Sequence, residues 1–194
     1  MVKVKAHQSV YPEAGVDLEQ WLALLAQRCP LITLVRLQEA CELSEQAEKK
    51  ALQTTGAWAP GRSSYLTGLE MADILSELQV DEDGLIAAVI YRAVRENQIT
   101  ANHVRKQFGD AVADLVEGVL KMVAISNIRI GKAEVVLGKN TDQIDQAKRM
   151  LVSLVDDIRV ALIKLAERTC AIRQASNSER EKQIKLAKEI SEIY

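Results

Sequence analysis

Chemistry in this 194-residue chain could come from two histidines, three cysteines and one arginine set in an apolar helix. His7 and His103 belong to no HxxxH or His-Asp arrangement. A helical metal hydrolase normally draws on several neutral imidazoles, because these are the commonest ligands for divalent transition metals. His103 lies in Thr100-Ala-Asn-His, the first turn of an expected helix, where a solvated role suffices. Cys29, Cys41 and Cys170 are widely spaced and odd in number, without CxxC or zinc spacing, which fits reduced thiols. Arg92 is the odd residue. It interrupts the run Leu85-Ile-Ala-Ala-Val-Ile-Tyr-Arg-Ala-Val-Arg-Glu-Asn, whose residues 85–91 carry no charge. A buried guanidinium without a carboxylate costs about 3–5 kcal/mol. Either its tip snorkels past the helix edge, or the helix presents a polar site to a cleft.

Other charged groups read as solvated. Asp156 and Asp157 are neighbours, and adjacent helical positions point about 100° apart, so they do not form an acid/base pair. Gly131-Lys132 and Gly138-Lys139 lack the GxxxxGK[ST] frame of a phosphate loop. Lys49-Lys50 and Arg180-Glu181-Lys182 read as outer faces. With 25 basic and 27 acidic residues the net charge is -2, which calls for no nucleic-acid or membrane-surface partner. Aromatic content of 4% is too low for base-stacking platforms. The chain has no apolar run of membrane-spanning length, and residues 1–8 lack the apolar region of a signal peptide. A cytoplasmic protein with no membrane partner is expected, and its oligomeric state stays open.

The elements that must position Arg92 are all helical. At 48% hydrophobic content, residues 1–194 suffice for one well-buried domain, with an irregular arm over 1–15. Asp17 caps a short helix carrying Leu18, Trp21, Leu22 and Leu25, stopped by Cys29-Pro30. A second helix runs from Leu34 to Leu52, with Leu34, Leu37, Cys41 and Ala47 inside and Glu45, Glu48, Lys49 and Lys50 outside. After a loop over 54–64, Ser63 or Ser64 caps a helix to about Leu78. Asp81 or Asp83 caps the Arg92 helix, which should be central because it is apolar nearly all round. Thr100 caps a helix ending at Phe108-Gly109, and Asp110 caps the next, with Val112, Leu115, Val116, Val119 and Leu120 inward. Residues 125–141, with two glycines and no helical stripe, are expected to form a mobile loop. A long helix over 142–173, facing the core with Ile144, Ala147, Leu151, Leu154, Ile158, Leu162 and Leu165, precedes a last helix from about Ser176 to Tyr194. That helix reaches the chain end without a C-cap, as expected of a piece of a longer protein.

Three segments then stand together: Leu66-Thr-Gly-Leu-Glu-Met-Ala-Asp-Ile-Leu, the Leu85–Asn97 run, and Asp157-Ile-Arg-Val-Ala-Leu-Ile-Lys-Leu-Ala-Glu-Arg-Thr. In this order and spacing, over roughly Leu34 to Tyr194, the chain resembles the N-terminal domain of the RelA/SpoT family of alarmone enzymes, most of all its monofunctional synthetases. The resemblance implies an all-α, compact HD-domain-like helical bundle and a parent whose synthetase domain follows residue 194. In members with hydrolase activity this domain holds manganese through a His before the central helix, a His-Asp pair on it and an Asp on a later helix. Here those positions read Thr67, Tyr91, Arg92 and Glu167. A Glu-Asp pair one turn on reads Arg95 and Glu96, and a later asparagine reads Ala171.

The resemblance therefore implies a degenerate site with no catalytic residue, no metal and no cofactor in this domain. Arg92 is expected to replace the ion's charge and pair with Glu167, with Glu96 as its competing partner. The implied function is a silent pseudo-hydrolase with a structural or regulatory role toward the synthetase domain of the same parent chain. That parent would transfer pyrophosphate from ATP to GTP or GDP under control of the ribosome and uncharged tRNA. Two alternatives stay open: a metal-dependent alarmone hydrolase using ligands such as Glu96 and Glu167, and a module that binds a guanine nucleotide without cleaving it.

Overall fold

A computed structural model describes residues 16–55, 63–133 and 157–175. Among them are seven helices and no strand: α1 (Leu18–Arg28), α2 (Leu34–Thr55), α3 (Ser64–Glu77), α4 (Glu82–Arg95), α5 (Ala101–Phe108), α6 (Asp110–Ala133) and α7 (Ile158–Ala175). None is long and apolar enough to cross a membrane. Four N-caps follow directly from residue type. Asp17 accepts from Gln20 N, Ser63 from Leu66 N, Asp81 from Gly84 N and Thr100 from His103 N. Helix ends are set by residues in the left-handed region, Gln79 after α3, Asn97 after α4 and Gly109 (φ 93°) after α5.

The central helix is α4. Gly84 to Tyr91, Ala93 and Val94 are all buried, against α2, α3, α6 and α7. Its closest neighbour is α3, and the reason is Gly68. A Cβ there would sit 2.6 Å from the Val89 carbonyl oxygen, so only glycine permits this approach. The same carbonyl accepts a hydrogen bond from the Ser44 hydroxyl of α2 at 3.3 Å, so three helices meet at one backbone atom. The α7 start is pinned to the first turn of α4 by Arg159, which bridges Asp81 and Asp157. All three cysteines are buried, and desolvation pushes the Cys41 thiol up to about 12.

Four expectations change. Glu48, assigned to an outer face, is buried, because its carboxylate accepts from the Ser63 hydroxyl (2.6 Å) and the Ser64 amide (2.9 Å) at the α3 N-terminus. Asp110 is the first residue of α6 rather than its cap. The loop expected from residue 125 is not a loop over its described part, since α6 runs on to Ala133. Its first stretch contains a glycine but no proline, and a single glycine costs a helix only about 1 kcal/mol. Finally, Asp157 lies outside α7, and its carboxylate accepts from the Arg159 amide at 2.9 Å. The stripe through Ile158 and Leu165 therefore does not face inward: these residues are 69% and 44% exposed, whereas Val160, Ile163, Lys164, Ala166, Glu167 and Cys170 are buried. A mutually satisfied Lys164–Glu167 ion pair takes the interior positions that a simple apolar count gives to leucine. The arm over 1–15, most of the 54–64 loop, residues 134–156 and the last helix lie outside the described residues.

Replacing Gly68 by alanine should destabilise the fold by about 1–3 kcal/mol despite alanine's better helix propensity. At about 2–4 °C per kcal/mol this is readable in a thermal melt. Gly118→Ala, whose Cβ would meet only the Val160 side chain at 2.8 Å, should cost less. A Gly68→Ala protein melting at or above the parent temperature would show that α3 and α4 are not held by this contact.

Candidate functional site

The last turns of α4, the first turn of α3 and the middle of α7 converge on a cavity of about 110 Å³. Thr67, Arg92, Arg95, Glu167 and Ala171 line it, together with Arg168 and Gln174. Tyr91 and Glu96 adjoin the wall through contacts to Glu167 and Arg92. All seven positions singled out in the sequence are thus brought together. Placing Arg92 and Arg95 in the final turn of α4 is favourable, since a helix C-terminus carries partial negative charge.

Glu167 is the hub. Its residue is 5% exposed, and its carboxylate accepts from Arg95 Nη1 and from Lys164 Nζ. The Tyr91 hydroxyl lies 3.5 Å from its Oε2. Burial by itself would raise the carboxyl's pKa, but the charges of Lys164, Arg95 and Arg92 outweigh burial and hold it below the usual range. Burial pushes the Lys164 ammonium in the opposite sense, below the ordinary lysine value, and only Glu167 counters this. Burial also keeps the Tyr91 phenol protonated well above its ordinary pKa.

The expected Arg92–Glu167 hydrogen bond is not made. Arg92 Nη1 stands 3.9 Å from Glu167, while its Nη2 donates to Glu96 at 2.8 Å and its Nε to the Ser64 hydroxyl at 3.3 Å. The i,i+4 neighbour on the same helix wins because Arg95 and Lys164 already occupy Glu167. The Ser64 hydroxyl donates in turn to Glu96 at 2.8 Å, and Glu48 holds the Ser64 amide. A continuous polar chain therefore runs from α2 across the α3 N-terminus to α4. Nearby, Arg173 and Glu70 pair at 3.3 Å between α7 and α3.

The sequence reading missed Lys164, Ser64, Arg168 and Gln174. Lys164 carried the same signal as Arg92, a charge flanked by apolar residues on a helix, and sits three residues from Glu167. Gln174 gave no signal, and Ser64 stood out only as a candidate helix cap.

A divalent ion does not fit these donors. Thr67 offers only a neutral hydroxyl, the Tyr91 phenol is protonated, and the one carboxylate in the cavity wall is claimed by two cations. Among the described residues no group of three His, Cys, Asp or Glu is spaced to hold a metal.

The ion pair sets a pH dependence. Because Glu167's folded pKa is depressed, its stabilisation is present above the unfolded value of about 4.3 and is lost as pH falls through the folded value. Glu167→Gln should cost about 3–5 kcal/mol at neutral pH by stranding Lys164. The double change Glu167→Leu with Lys164→Met should recover most of that loss and flatten the acid limb in denaturant titrations. A Glu167→Gln protein as stable as the parent would show that the pair is not buried in solution.

The HD domain family profile matches residues 40–194. A GTP pyrophosphokinase of Escherichia coli is 31% identical over 178 residues, covering 92% of this chain but only 22% of its own length. A GTP pyrophosphokinase of Haemophilus influenzae is 35% identical over a 209-residue alignment that takes in 100% of this chain and 25% of the relative. The bifunctional (p)ppGpp synthase/hydrolase SpoT of Escherichia coli is 29% identical over 172 residues, 88% of this chain and 22% of that protein. This chain belongs to the HD domain family, within the group formed by the RelA/SpoT proteins.

Proposed function

We propose that this chain is a catalytically silent HD domain of a GTP pyrophosphokinase-type protein, acting structurally or as a regulator toward a synthetase domain of the same parent. The observation that carries this reading is the occupation of the cavity wall by fixed cations. Arg92 is bonded to Glu96 and Ser64, and Glu167 is bonded to Arg95 and Lys164. Both carboxylates are already neutralised by cations that stand where a metal would have to approach, which opposes metal ligation and the water activation that depends on it.

The rest of the proposal follows from the resemblance to the RelA/SpoT family. A parent of this type transfers pyrophosphate from ATP to GTP or GDP in the cytoplasm, with the ribosome and uncharged tRNA as its activating partners. None of that chemistry is assigned to residues 1–194. The hydrolase alternative, with Glu96 and Glu167 as ligands, is disfavoured because each already neutralises an arginine. The guanine-nucleotide alternative is disfavoured by size. At about 110 Å³ the cavity falls short of the roughly 300–1,000 Å³ of ordinary ligand pockets.

Calorimetric titration with manganese should give no saturable binding, and incubation with guanosine tetraphosphate should release no pyrophosphate. Micromolar manganese binding or measurable release would overturn the reading. The combined changes Thr67→His, Tyr91→His and Arg92→Asp should introduce manganese binding where the parent has none. Failure of that folded variant to bind would show that more than ligand identity has been lost.

A further inference from the structure

Helix α7 has a buried seam and a second seam about 200° away around its axis. Val160, Ile163, Glu167 and Cys170 repeat at three and four residues and are buried. Ile158, Leu162, Leu165, Thr169 and Ile172 repeat at four and three on the other side. Leu162 and Thr169 are half-buried, while Ile158, Leu165 and Ile172 are 69%, 44% and 48% exposed. Thr169 returns its hydroxyl to the Leu165 carbonyl at 2.9 Å, so it brings no unmet donor to this seam. Single exposed leucines are ordinary on a protein surface, but a line of aliphatic residues at this repeat is the pattern by which one helix receives another.

The sequence that follows α7 carries the complement. In residues 176–194, which lie outside the described residues, Leu186, Ile190 and Ile193 repeat at four and three, with Lys188, Glu189 and Glu192 between them. A helix with that stripe gains its stability by packing the stripe on an apolar partner. Ala175 ends α7, and Ser176-Asn177 can supply the turn, since asparagine tolerates the left-handed position after a helix. Ser178 and Glu181 then make the S-x-x-E pattern of a helix start. Two residues suffice to join antiparallel helices. Folding back about this turn sets Leu186 against Thr169, Ile190 against Leu165 and Ile193 against Leu162. The other amphipathic stretch beside α7, with Ile144, Ala147, Leu151 and Leu154, fits less well. Pairing Leu151 with Leu162 across Asp156-Asp157 sets Lys148 against Leu165.

We propose that the exposed seam of α7 is the docking surface for residues 179–194 of the same chain, laid on it as an antiparallel helix. Leu186, Ile190 and Ile193 fill the seam at Thr169, Leu165 and Leu162. This interface goes beyond the silence of the cleft and does not depend on it. Glu167 and Lys164 occupy the inner side of the helix whose outer side the segment covers, so the segment and the cleft share one wall.

The test joins the two faces covalently in the full chain. Leu165→Cys with Ile190→Cys should close a disulfide within one molecule under mild oxidation, because facing positions meet the Cβ separation of about 3.5–4.5 Å that the bond needs. The native thiols are all buried, which leaves the introduced pair to react. Leu165→Cys with Gln183→Cys, about two turns out of register, should stay reduced. In amide hydrogen exchange, Leu165→Asp should speed exchange at Ile190 and Ile193 by about tenfold or more, while the buried Val89 and Ile90 of α4 exchange as in the parent. An open 165–190 pair, equal closure by the 165–183 pair, or parental exchange at Ile190 and Ile193 in a folded Leu165→Asp protein would overturn the proposal. So would a disulfide between two molecules, which makes a second copy the occupant. Closure of Leu165→Cys with Lys148→Cys would give the seam to the stretch before α7 and overturn it equally.

Discussion

A carboxylate held under the surface between α4 and α7 needs positive charge around it, and much of this domain's polar architecture answers that requirement. Glu167 cannot be solvated, so Lys164 and Arg95 must be within reach of it. Arg95 comes from the end of α4, and its position there requires α4 to lie against α7 in one register. Lys164 comes from α7 itself, and its burial rotates that helix so that Ile158 and Leu165 turn outward. A local electrostatic demand has thus decided which face of an eighteen-residue helix meets the core.

The same constraint explains how several arginines line this cleft without loss of the fold. Thr67, Tyr91 and Arg92 sit on helices whose backbones are fixed elsewhere, by the Val89 carbonyl, the Glu48 clamp on α3 and the Arg159 bridge. Tyr91 fills its volume fully buried, and Thr67 returns its hydroxyl to the preceding turn. The charge of Arg92 is met by its immediate neighbours, Glu96 and Ser64.

Residue patterns made much of this legible. The caps Asp17, Ser63, Asp81 and Thr100 and the stop at Gly109 all act through local backbone chemistry, which a short window of sequence contains. The central place of α4 followed from its being apolar nearly all round. Gathering of the seven site positions came from the family resemblance, not from spacing. What could not be read was partner choice. Arg92 had two carboxylates in reach on paper, and which one it takes depends on Lys164 and Arg95 having claimed Glu167 first. The same limit hid Glu48, whose burial comes from capping a helix that begins sixteen residues later. The face of α7 was misread because a hydrophobic count treats an ion pair as two outward charges, while the folded chain treats it as one neutral, buried unit.

Contact between Gly68 and the backbone of Val89 has a mechanical side. Two helices touching main chain to main chain tolerate almost no sliding, whereas ion pairs between side chains stretch and re-form over about an ångström at modest cost. So main chain fixes the register of α3 on α4, whereas α7 meets the cleft through ion pairs beside its buried Val160, Ile163, Ala166 and Cys170. A shift of α3 against α4 would have to break main-chain contact at Gly68, so the floor of the cleft is set by backbone and its charged rim by side chains.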